Sequence, residues 1–572
     1  MSRDFDLVIG RGIVLDGNGS EGQVTDVGIR GGRIAEIGDL VGRGREEIDA
    51  RGLLVTPGFV DVHTHYDGQV TWENRIAGSS AHGVTTVVMG NCGVGFAPCR
   101  AADRESLLDV MEGVEDIPEL VMNAGLPWNW ETFPQYLNSL ESRHFDIDVG
   151  TQLPHSALRV YAMGQRGANR EVATEDDNKR MAALAFEAIS AGALGFSTSR
   201  NPLHATIHGD PIPSYQAVEA ELGAIAGGLS SAKRGVLQAL PSFDDFDAEF
   251  AMFKRLAKQS GRPLSYSLVQ MSPHSDLWRH ALQETAAANA EGLSIKAQVM
   301  GRPTGILLGL DLSYNPFSFF PTYQTIAHLP LEQKVSILRQ REFRAKLLAE
   351  RPLPSTQPVL ALLKKFEAMY ALGDPPNYEP ARESSIVAIA ERSGKQQLEV
   401  ALDMLLEKDG NNIIFTVSAN YIAGNLDAAL EMIQHPNTIL ALGDGGAHYG
   451  LISDSSYPTF MLTYWCRDRV GAKVPLSEMV RKLSSVPARA LGLNDRGRIA
   501  PGLKADINII DFDKLRLHAP TAHYDLPAGG RRVLQTAEGF QGTLVNGIVS
   551  QRHGKPTSEL PGRLVRGTRD AA

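Results

Sequence analysis

The chain reads as an α/β protein: a (β/α)8 barrel of the TIM type carrying a helical lid insertion, beside a small β-sandwich built from both chain ends. Three observations carry that reading. The middle of the chain alternates short apolar runs with helical stretches, the pattern of parallel β/α units. Both ends hold short, β-branched segments punctuated by glycine. The 572 residues exceed one ordinary domain and leave room for a barrel of roughly 250–400 residues plus a second unit.

The elements follow in order. Residues 6–17 read as a strand, and 24–40 as two more broken at Gly31-Gly32. Near the other end, 495–511 gives a Gly-Pro-rich turn and a strand, and 543–549 a hairpin around Asn546-Gly547. The sandwich is therefore expected from 1–57 and 491–572, with the barrel at 58–490. Eight barrel strands are expected within 53–65, 85–92, 146–155, 193–199, 235–243, 263–271, 293–302 and 437–444. The last interval is abnormally long. It holds an insertion at about 303–385, opening on a Pro-, Tyr- and Phe-rich run and an amphipathic stretch at 331–350. At the catalytic face of a barrel such an insertion acts as a lid or shapes the substrate site. The aromatics of 316–323 either line an apolar pocket there or pack as core.

Composition excludes several classes. The net charge of −10, from 56 basic and 66 acidic residues, opposes a nucleic-acid partner. No run of about 18 apolar residues predicts a membrane span. The N-terminus lacks the apolar core of a secretory signal. Three cysteines, Cys92, Cys99 and Cys466, make no disulfide framework and point to a reducing compartment. The expectation is a cytoplasmic protein acting on a small molecule; a homo-oligomer is compatible with it.

A barrel carries its chemistry at the C-terminal strand ends. The first strand ends Pro57-Gly-Phe-Val-Asp-Val-His-Thr-His65. Side chains of a strand alternate between faces, so His63 and His65 share one face, half of a metal site. The second ends Gly90-Asn-Cys92-Gly, where a thiolate beside two imidazoles would ligate zinc; an inert buried thiol is the alternative. The eighth ends Leu442-Gly-Asp444-Gly-Gly-Ala-His448. Its carboxylate is placed to touch a metal and accept a proton.

With those flanks the chain resembles the D-aminoacylase and N-acyl-D-amino-acid deacylase branch of the amidohydrolase superfamily, most closely at 57–65, 90–93, 192–198, 444–448 and 495–511. The resemblance implies a distorted TIM barrel with a two-ended β domain. It also implies a divalent-metal site, zinc first, drawing on His63, His65, Cys92 and Asp444, with Asp444 as catalytic base. His155, Arg200, Arg302 and His448 are candidate substrate contacts; for His155 a structural role, and for Arg200 an ordinary ion pair, are the alternatives. Two departures matter. The fourth strand end, Gly195-Phe-Ser-Thr-Ser-Arg200, lacks the lysine of cyclic-amide hydrolases. The fifth and sixth strands lack the branch's histidines and carry Gln238 and Gln270, poor zinc ligands, instead. One tight metal is therefore expected rather than two, with iron or manganese also tolerated. The expected reaction is hydrolysis of a linear amide, an N-acyl amino acid of D configuration. Another amide, a carbamate or a lactone is the runner-up, and a metal-free scaffold the third reading.

Overall fold

The computed structural model describes residues 4–355, 357 and 359–567. All eight barrel strands form. They are Phe59–Asp61, Val84–Met89, Asp148–Thr151, Gly195–Ser199, Val236–Leu240, Leu264–Ser267, Ile295–Val299 and Thr438–Leu440. Their residues are almost entirely buried, as expected of parallel strands covered on both faces. Neighbours run parallel through two arcs. One arc meets the other where Leu194 N–H donates to Thr151 O and Gln152 N–H to Met89 O. The barrel closes on the opposite side, where Asp444 N–H donates to His63 O (3.1 Å) and His65 N–H to Gly445 O (2.8 Å).

The chain ends meet in one nine-stranded sheet. Ile507–Ile510 lies between Leu54–Pro57 and Phe540–Val545, antiparallel to both, so the C-terminal segment completes what the N-terminal one begins. Leu7, Ile9, Val27, Ile29, Ile507, Ile509 and Leu544 give this sheet its own core.

The insertion has a third core and reaches further than the expected end at 385. Ile414–Ala419 pairs antiparallel with both Thr304–Leu308 and Met369–Ala371, so the β-branched run at 414–419 belongs to the insertion. Phe317, Phe320 and Tyr323 are buried in that core, which is where the aromatics of 316–323 go.

A buried ionic knot ties the β domain to the start of the third barrel strand. Asp148 accepts hydrogen bonds from Arg496 Nη1 (2.7 Å), Lys504 Nζ and the Arg563 backbone N–H (2.9 Å). Burial opposes its charge, but Arg496 and Lys504 hold the carboxyl below its ordinary value. Its contribution is thus complete above the unfolded pKa, about 3.9, and fades as pH falls towards the folded one. Asp148→Asn leaves two buried cations short of a counter-charge. It should cost about 3–5 kcal/mol in urea unfolding near pH 7, and the deficit should shrink on acidification.

Candidate metal centre

His63 and His65 sit in extended chain just past the first barrel strand, on one face. Each points Nε2 at the same space and turns Nδ1 away. His63 Nε2 lies 3.2 Å from Cys92 Sγ, and Asp444 Oδ1 is 3.6 Å from both Nε2 atoms. Among the described residues, His63, His65 and Cys92 form the group whose ligand atoms all lie within 4.8 Å of one another. Tetrahedral zinc, at about 2.1 Å from nitrogen and 2.3 Å from sulfur, separates its ligands by about 3.4–3.7 Å. The observed separations of 3.2 and 3.6 Å overlap that range, so the donor set fits a divalent metal.

The Nδ1 atoms are held by groups that no motif announces. His63 Nδ1–H donates to Gln298 Oε1 (2.6 Å), and Gln298 Nε2 donates to Ser265 Oγ (2.9 Å). His65 Nδ1 lies 3.2 Å from Glu115 Oε1, close enough for an ion pair but not aligned as a hydrogen bond. Glu115 Oε2 lies 3.5 Å from His448 Nε2. Such partners fix the tautomer that leaves Nε2 free for metal. Strand alternation put Lys296 and Gln298 on one face of the seventh strand, the signal available for Gln298. Glu115 ends the helix Arg104–Glu115 and carries no local signature.

The electrostatics suit a cation held among these side chains. Burial opposes charge on Cys92, yet His63 and His65 draw the thiol down to about 7. Burial likewise opposes charge on His63, which Cys92 and Asp444 raise to about 9. Burial opposes the Asp444 carboxylate, but the close approach of His65 and the charges of both histidines hold it far below its ordinary range. Burial drives Glu115 up to about 8 and His448 down to about 4.

Backbone strain concentrates here. Cys92, Asp444 and His448 hold φ of 54°, 45° and 50°, a conformation that costs non-glycine residues about 1–3 kcal/mol each. Gly90 makes the turn to Cys92 possible: a Cβ there would lie 2.3 Å from Gln152 O.

Three of the candidate substrate contacts are engaged elsewhere. His155 is fully buried between Thr198 Oγ1 and Glu221 Oε1 (2.9 Å each), and Glu221 also takes Arg159 Nε (2.8 Å). Arg200 Nε is bidentate to Glu249 (2.8 Å to each oxygen). Arg302 is fully buried, bonded to Asp454, Ser453 O (2.6 Å) and Ser456 Oγ (3.1 Å), with its guanidinium 4.3 Å from the Tyr378 ring centroid. These guanidinium groups join elements, and a buried cation keeps the carboxylate that stabilises it. Other groups are unspent. Gln238 Oε1 accepts the Cys92 backbone N–H (3.2 Å), while Gln238 Nε2, Gln270 Oε1 and His204 Nδ1 are buried with no protein partner. His204 comes from the loop after the fourth strand. Burial and the field of His65 and His448 lower it to about 3.

Two substitutions test the cluster. Gln298→Leu should weaken metal retention about 10–100-fold, the scale for lost ligand orienters, read by metal content after graded chelator dialysis. Cys92→Ala should lower metal content while circular dichroism stays unchanged; full metal retention would remove Cys92 from the site.

The comparisons agree with this architecture. The amidohydrolase family model matches residues 46–550. N-acyl-D-glutamate deacylase of Alcaligenes xylosoxydans xylosoxydans is 27% identical over 576 residues, covering 100% of this chain and 98% of its own. D-aminoacylase of the same organism is 35% identical over 198 residues, 34% of this chain and 38% of its own. Among solved structures, N-acyl-D-glutamate deacylase from Bordetella bronchiseptica, complexed with zinc and a phosphonate mimic of the tetrahedral intermediate, superposes with a TM-score of 0.65 at 22% identity. That match covers 98% of this chain and 99% of the other. The first of these matches spans most of the chain, and on it the chain belongs to the amidohydrolase family; with the relatives, it falls in the branch of D-aminoacylase and N-acyl-D-glutamate deacylase.

Proposed function

We propose that this amidohydrolase cleaves the linear amide of an N-acyl amino acid of D configuration, using one tightly held metal, zinc first. The observation that carries the reading is Asp444 Oδ1, 3.6 Å from both His63 Nε2 and His65 Nε2 and beside Cys92. The substrate class rests on relatives named for N-acyl-D-glutamate, N-acyl-D-aspartate and D-aminoacyl substrates. His63, His65 and Cys92 would hold the metal, with Asp444 at its edge; the metal polarises a carbonyl and lowers the pKa of water.

The chain's own residues do the rest. Asp444 enters the reaction ionised, because His65 and His63 hold its carboxyl low against burial. It accepts a proton from the attacking water at Oδ1 and returns it to the leaving amine. Gly445 and Gly446 let the chain beside it pack directly on Tyr66, where a Cβ on Gly446 would meet the ring at 2.6 Å. Arg200 and Arg302 are committed to Glu249 and Asp454. The substrate's polar groups are therefore met by Gln238 Nε2, Gln270 Oε1 and His204 Nδ1, the buried atoms that lack partners. His448, held by Glu115, flanks the same space.

A screen of N-acyl-D- and N-acyl-L-amino acids with detection of the free amino acid should show turnover confined to the D series. Turnover of arylamides or lactones with none of acyl amino acids would overturn the substrate class. Asp444→Asn keeps the shape and one oxygen but cannot take the proton. It should lower kcat about 10²–10⁴-fold at nearly full metal occupancy. With no imidazole on the fifth or sixth strand, elemental analysis after dialysis should find about one metal per chain. Two dialysis-resistant equivalents would mean that other groups replace those histidines.

A further inference from the structure

A second cavity lies at the opposite mouth of the barrel. It has a volume of about 300 Å³ and opens among the first residues of the fifth to eighth strands and two C-terminal helices, Leu476–Leu483 and Ser485–Ala490. Four cations line it: Lys296, Arg481, Lys482 and Arg489. None of the described residues lining it is acidic.

The cations are short of counter-charge. Glu478 is the carboxylate within reach, and both of its oxygens are spent on Arg481 (2.7 and 2.6 Å). Lys482, 4% exposed, has nothing closer of opposite charge than that carboxylate, at 3.8 Å. Lys296 Nζ donates to the neutral Pro436 O (3.0 Å) and Asn437 Oδ1 (3.2 Å). Among the described residues, Arg489 donates to Ser485 O (3.2 Å) and Ser485 Oγ (3.3 Å) and to no carboxylate. Four positive charges thus share one negative charge in a chain whose net charge is −10.

The cost is visible in the ionisation of these groups. Burial, with Arg481 and Lys296 adding, pushes Lys482 down to about 8 against the pull of Glu478. Lys296 and Arg489 are lowered as well, by burial and then by neighbouring cations. Nearby His435 is lowered by burial, Lys482 and Lys296. Cations in the last turn of a helix are ordinarily explained by its C-terminal dipole. That accounts for Arg481 and Lys482, and Arg489 holds the same place in the following helix, but Lys296 comes from a barrel strand. Lys482 is buried, Lys296 and Arg481 are half-buried and Arg489 is exposed; unbalanced charge on the buried member is expensive and persists where a counter-ion occupies the space.

We propose that this cavity is a second ligand site, distinct from the metal centre, that binds the phosphate group of a small phosphorylated molecule. The class follows from the donors left uncommitted. The Arg481 fork is occupied by Glu478, so a planar carboxylate finds no free fork there. The ammonium groups of Lys482 and Lys296 are point charges, which suit a compact multi-oxygen dianion. Ser265 and Ser294 line the same space with hydroxyls, and its volume admits more than the phosphate alone.

The test is calorimetric titration of the full-length protein with inorganic phosphate, pyrophosphate and succinate, paired with thermal unfolding. Saturable binding of phosphate or pyrophosphate is expected, weakened at least tenfold by Lys482→Met and by Lys296→Gln separately. Lys482→Met removes a buried charge at similar volume. It should therefore raise the unfolding temperature without ligand and abolish the rise that pyrophosphate gives the wild type. Absence of saturable binding, preference for succinate, or binding indifferent to both lysine substitutions would each overturn the proposal. The last result would assign the anion to the metal centre.

Discussion

Two backbone hydrogen bonds decide where the chemistry of this protein lies. Asp444 N–H to His63 O and His65 N–H to Gly445 O close the barrel by joining its eighth strand end to its first. The bonds alternate along the same short segment that carries both histidines. They fix the register between two pieces of chain almost 380 residues apart and bring the carboxylate to the imidazoles. The positive φ of Asp444 is the strain that this closure imposes, and a sheet edge left unpaired there would expose backbone groups in a buried site.

What the sequence made legible follows from which forces are local. The apolar runs of the eight strands are read directly, because a parallel strand is buried on both faces and its composition says so. His63, His65, Cys92 and Asp444 are legible for another reason: each sits at a strand end, the histidines one residue apart after Pro57-Gly58 and the other two beside glycine, and the barrel brings such ends to one face. Glu115 and Gln298 were not legible as partners. Glu115 reaches His65 from the end of a long connecting helix, and Gln298 is one polar residue inside a strand. For the arginines the partners were the illegible part, although an ordinary ion pair already stood as the other reading of Arg200. Arg200 and Arg302 stand at strand ends where a substrate carboxylate would be met, but Glu249 and Asp454, distant in sequence, had already claimed them. The extent of the insertion failed likewise, since only the pairing of Ile414–Ala419 with Thr304–Leu308 reveals where it ends.

Arg302 shows how the pieces depend on each other. It leaves the seventh barrel strand, bonds to Asp454 and Ser456 beyond the eighth, and stacks on Tyr378 of the insertion. Tyr378 Oη in turn donates to Gln535 Oε1 in the C-terminal segment (3.1 Å). One buried cation therefore couples the barrel, the insertion and the β domain beside the catalytic face, as the Asp148 knot does at the other end. The insertion is anchored to the rim by a directional, charge-assisted network, not by apolar contact alone.

The pairing of Cys92 and Asp444 has a consequence for how molecules arrive. One thiolate and one carboxylate would cancel the two charges of a divalent cation, and burial pushes the neighbouring Glu115 carboxyl up, towards its neutral form. The loaded centre then presents no net charge to the outside. Capture of an anionic substrate of the class proposed above would gain nothing from attraction to the centre and would work against the chain's net charge of −10, so it would depend on contacts made after entry. The second-order rate constant should accordingly not fall between low and high ionic strength, unlike that of an enzyme that draws its substrate in through an electrostatic field.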